Sequence, residues 1–118
     1  MIHFKTHISK IDWCIECFIT TDNSQLEEIM FKLENIGCSK HTTKRARQIL
    51  SEQYDSGFAY SNLNERKSIM VINKSTSMEE FVNTYNHEKN HVEMHICEEL
   101  GIDPYSEEAA YLSGNMAQ

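Results

Sequence analysis

Between Ser75 and Pro104 the residues commit the chain to one long helix. Ser75, Thr76 and Ser77 offer hydroxyls for an N-cap, and Glu79 and Glu80 place negative charge in the first turn, where the helix dipole favours it. Phe81, Val82, Tyr85, Val92, Ile96 and Leu100 then repeat at helical spacing. Gly101 ends the run, and Pro104 constrains Asp103 to an extended conformation that cannot continue it. The pattern predicts a helix from about Met78 to Leu100, with the polar residues between these apolar positions along its edge.

The rest of the chain reads as shorter elements. Residues 11 to 20 are rich in β-branched and aromatic side chains and predict a strand. Leu26, Ile29, Met30, Leu33 and Ile36 mark a helix that stops at Gly37, and Ser39 or Thr42 caps a second one through Ala46, Ile49 and Leu50. That helix gives way near Asp55-Ser56-Gly57. Phe58–Ser61 and Ser68–Asn73 then read as a hairpin around Asn62–Glu65, and a last helix begins near Ser106. No linker, repeat or low-complexity run divides the 118 residues, so a single domain over 1–118 is expected. Its class is α+β, with a small, mostly antiparallel sheet packed with helices.

Charge and cysteine content narrow the partners. A formal net charge of −7 argues against nucleic acid as a partner, because phosphate binding relies on lysine and arginine. Lys40, Lys44, Arg45 and Arg47 form a local basic run, read first as a solvated helix face. No segment approaches a membrane span and the first residues lack an apolar run of signal-peptide length, so a cytoplasmic protein with no membrane partner is expected. Cys14, Cys17, Cys38 and Cys97 are then expected as reduced thiols. Cys14 and Cys17 have metal-knuckle spacing, but on a strand their side chains point to opposite faces, which favours packing.

The chemistry concentrates in His87-Glu88-Lys89-Asn90-His91. Histidines four apart on a helix share one face and can present both imidazoles to one ion. Glu88 beside them is placed to hold a metal-bound water and take its proton. A catalytic zinc site needs a third protein ligand and an open position. His95 continues the series, but three side chains along one straight helix diverge, which leaves it beside the site or on the surface. Glu107 and Glu108 stand on the next helix, which the short connection from Gly101 to Tyr105 folds back toward the first.

This arrangement resembles the gluzincin branch of zinc peptidases, in which a glutamate from a downstream helix is the third ligand. The segment from Asn83 to Gly114 is also similar to short zincin-like proteins of phages and bacterial mobile elements, where Glu-x-x-Ala-Tyr follows the zinc helix. That register matches Glu107, Ala110 and Tyr111, with Glu108 as the one-residue alternative. The resemblance implies a minimal zincin-like metallopeptidase with a Zn²⁺ site between the last two helices. His87, His91 and Glu107 would bind the metal and Glu88 would be the catalytic base. The substrate would be a peptide or protein lying along an edge strand of the 58–73 hairpin. The oxyanion-stabilising residue stays open among Tyr60, His95, Tyr105 and Tyr111. A zinc-stabilised protein-binding or regulatory module without catalysis is the alternative, and neither substrate identity nor oligomeric state is legible.

Overall fold

Runs of apolar residues that face both ways build the central strands, and three-to-four-residue spacing builds the helices on either side. The computed structural model describes residues 2–110 and 114. Its strands are β1 (Ile2–Ile8), β2 (Trp13–Ile19), β3 (Gly57–Asn62) and β4 (Lys67–Ile72), and its principal helices are α1 (Leu26–Asn35), α2 (Lys40–Glu52) and α3 (Met78–Leu100). A further helical turn covers residues 107–110. The fold is α+β, with the strands in the order β1-β2-β4-β3.

Two of the three pairings are antiparallel. β1 runs antiparallel to β2, and β3 to β4 as the expected hairpin, whereas β2 and β4 run parallel at the centre. β1 falls outside the elements expected from the sequence. Its polar residues His3, Lys5, Thr6 and His7 suit an edge strand that is largely exposed and held by pairing to β2 rather than by burial.

Each face of the sheet has its own core. Trp13, Ile15 and Cys17 of β2 join Met70 and Ile72 of β4 beneath Val92, Ile96 and Cys97 of α3. On the opposite face Phe18, Ile69 and Val71 pack with Ile29, Met30 and Leu33 of α1 and with Ala46 and Leu50 of α2. Cys17 is thus in the core under α3, while Cys14 points to the other face, and all four cysteines are free thiols.

Helix α3 has the bounds its caps predict. Ser77 Oγ accepts from the Glu80 amide at 3.1 Å, and Gly101 closes the helix in the left-handed region at φ 67°. The Ile102 amide donates back to the Cys97 carbonyl at 2.9 Å, and Ile102 packs on the core. One residue of the expected stripe faces elsewhere: Val82 is 45 % exposed. The face turned to the sheet runs through Thr84, Glu88, Val92 and Ile96, and residue 82 lies about 200° round the helix from residue 84. Among the described residues no helix is long and apolar enough to cross a membrane.

Candidate functional site

Position 88 belongs to the row of α3 that lies against the sheet, and positions 87 and 91 to the flank that reaches solvent. The helix therefore buries the acid and exposes the two histidines. Glu88 is 5 % exposed. His87 and His91 turn toward each other, with Nε2 atoms 3.0 Å apart and rings at 88°.

That spacing is a test of fit for a metal. Two histidine nitrogens bound to one tetrahedral zinc at 2.0–2.1 Å stand about 3.3 Å apart. The observed pair is within a few tenths of an ångström of that value, so one turn of helix holds two donors near the required separation without further folding.

Glu88 is held by shape rather than by partners. Among the described residues its carboxyl has no hydrogen bond or ion pair. It lines a recess with Asp55, Gly57, Asn83, Thr84 and His87. Burial pushes its pKa up from the ordinary glutamate value, against the opposing pull of positive charge on His87 and His91. A buried carboxyl beside two imidazoles, open on one side to a recess, is suited to taking up and giving back a proton.

Gly57 makes room for it. A Cβ at position 57 would stand 2.7 Å from Glu88 Cγ, 2.8 Å from Glu88 Oε2 and 2.8 Å from the Val71 carbonyl oxygen. No side chain fits between the start of β3 and this carboxylate. The preceding loop is pinned by Asp55, whose carboxylate accepts from the Thr76 amide and hydroxyl at 2.7 Å each, while the Thr84 hydroxyl donates to the Asp55 carbonyl at 3.4 Å. Asp55, Gly57 and Thr84 were not among the residues expected at the site. The available signal was a glycine opening a strand, which often marks close approach by another group.

His95 is drawn inward. Its Nδ1 lies 2.7 Å from Ser61 Oγ, Ser61 shares a 2.7 Å hydrogen bond with Ser68, and Ser68 accepts from Trp13 Nε1 at 2.9 Å. Burial, helped by the nearby charge of His91, lowers the His95 pKa, while Glu98 opposes the shift. His95 is therefore tied to the core through its ring and stands beside the histidine pair rather than within it.

The last described turn carries Glu107 and Glu108. Ser106 caps it by accepting from the Ala109 amide at 3.2 Å, and Ala109 is buried in the core beneath α3. Glu107 and Glu108 are exposed, and among the described residues no group of three His, Cys, Asp or Glu side chains is placed to hold a metal. The structure thus brings His87, His91 and Glu88 together on one turn of α3, and among the described residues Glu107 does not complete a three-residue metal set with them.

The aromatic candidates also separate. Tyr60 lies on the opposite face of the sheet and donates to the Gly37 carbonyl at 3.1 Å, so it is removed from Glu88. Tyr105 is 96 % exposed. Tyr111 lies outside the described residues.

Compared with known protein families, characterised proteins and solved structures, the chain finds no match, so its reading rests on the geometry of its own residues.

Proposed function

We propose that this chain is a zinc-dependent, gluzincin-like metallopeptidase or amidase of the cytoplasm, acting on a peptide or protein substrate. The observation that carries the reading is the conjunction at α3. A buried glutamate whose carboxyl has no hydrogen-bond partner among the described residues stands one residue from an imidazole pair spaced for a metal.

His87 and His91 would hold the ion through Nε2, and Glu107 would supply the third ligand by swinging in from the exposed first turn after Ser106. Metal binding and the ordering of its ligands are coupled in small domains. A bound zinc supplies Lewis acidity that makes water a usable nucleophile near neutral pH.

The remaining work belongs to the protein. Glu88 takes the proton from the attacking water and delivers it to the leaving amine, and the upward push of burial on its pKa suits both transfers. β3, at the edge of the sheet and packed beside α3, offers unpaired backbone groups to an extended peptide. Gly57 keeps the base against that edge.

The exposure of Glu107 favours a second reading, a zinc-stabilised binding or regulatory module in which two histidines hold metal without turnover. Glu88→Gln separates the two. In the peptidase it retains zinc and loses hydrolysis of a peptide library by about a thousandfold. In the module it changes neither zinc content nor partner binding. Untagged protein that retains far less than one zinc per chain, and is unaffected by added zinc, would falsify both.

A further inference from the structure

A second recess lies on the sheet face away from Glu88. Lys5 of β1, Glu16 of β2 and Lys67 of β4 belong to its floor, and Lys32 and Asn35 of α1 to its wall. Strand register explains the gathering. Lys5 pairs with Glu16, and Lys67 is level with Cys14, which alternates with Glu16 on the same side of β2.

Charge distinguishes the place. Three lysines and one glutamate line it, and the carboxylate is already engaged: Glu16 bonds His3 and lies 3.8 Å from Lys32. Among the described residues Lys5 and Lys67 have no ion pair. Like charges lining one concavity repel, and a bound anion removes that cost. The chain has 18 acidic residues against 11 lysines and arginines, so a positive recess runs against its composition. A volume of about 220 Å³ suits a small ligand rather than a polymer.

We propose that this recess binds a small multivalent anion bearing phosphate or carboxylate groups. Lys5, Lys32 and Lys67 are its counter-charges and the Asn35 side chain is a neutral donor. Glu16 holds Lys32 in place and limits affinity through its own negative charge.

The test is isothermal titration of the metal-free full chain at low salt, with inorganic pyrophosphate in one arm and citrate in the other. Saturable binding of one anion per chain is expected in at least one arm. Pyrophosphate alone identifies a phosphate ligand, and citrate alone a carboxylate. The double variant Lys5→Gln/Lys67→Gln, confirmed folded by circular dichroism, weakens binding about tenfold, whereas Glu16→Gln tightens it. Lys40→Gln/Lys44→Gln on α2 leaves it unchanged. No saturation in either arm, or equal loss in the α2 variant, overturns the proposal.

Discussion

The two halves of α3 lay the same geometric row on the sheet and use it for opposite ends. Thr84, Glu88, Val92 and Ile96 follow at four-residue intervals and all are buried. In the second half, Val92 and Ile96 close with Trp13, Met70 and Ile72 into an apolar core. In the first half, the same positions bury a hydroxyl and a carboxyl beside a recess. Helix geometry fixes which positions are covered, and the side chain decides whether the cover stabilises the fold or prepares chemistry. Among the described residues the Glu88 carboxyl has no hydrogen-bond partner and meets solvent only through the recess, a placement that disfavours its charged form.

The largest expected effect tests the apolar half. Ile96→Ala removes a fully buried side chain and should destabilise the protein by about 3 kcal/mol in urea unfolding, while leaving the pairing of His87 and His91 intact. A loss below about 1 kcal/mol would show that this half is not the anchor.

Zinc comes next. Under the proposed metal reading, zinc at a hundredfold excess over its Kd should stabilise the native state by about 2.7 kcal/mol. His91→Ala should abolish that gain in thermal unfolding. An unchanged gain in the variant would move the metal away from α3.

Gly57→Ala sharpens the contact between strand and base. The new Cβ would press on both Glu88 and the Val71 carbonyl, for a loss of about 2 kcal/mol. Combining it with Glu88→Ala should recover part of that loss, and strict additivity in the double-mutant cycle would break the claim that Gly57 serves Glu88.

The smallest effect has an unusual sign. Because burial raises the Glu88 pKa, the stability linked to its protonated form is fully present below the unfolded pKa and is lost as pH rises through the folded one. Glu88→Gln in zinc-free protein should therefore be slightly more stable than the parent chain at neutral pH. Its urea midpoint should also vary less between acid and neutral pH than that of the parent chain. Destabilisation at neutral pH would mean that Glu88 is a structural partner.

Much of this was legible before any fold was known. Ser77 and Gly101 bracket α3 at the residues that their capping chemistry selects. The hairpin of β3 and β4 followed from two strand-like runs on either side of the turn-forming residues Asn62–Glu65. The His87 and His91 pair followed from helical spacing alone. What escaped has physical reasons. β1 is polar and exposed, so its strand state depends on pairing with β2 rather than on its own pattern. The parallel neighbours β2 and β4 are far apart in sequence, and no local signal specifies which distant strands meet.

The site divides along the same line. His87, Glu88 and His91 share one turn of one helix, and for residues so close the sequence by itself determined their relative placement through the backbone hydrogen bonds of that turn. Only the tertiary structure decided that Glu88, not the histidines, lies against the sheet, that Gly57 and Asp55 shape its recess, that Tyr60 faces away, and that Glu107 is turned to solvent. Those outcomes depend on which side of α3 the sheet covers and on where the last described turn packs. Long-range burial sets such placements, and helical periodicity alone cannot specify them.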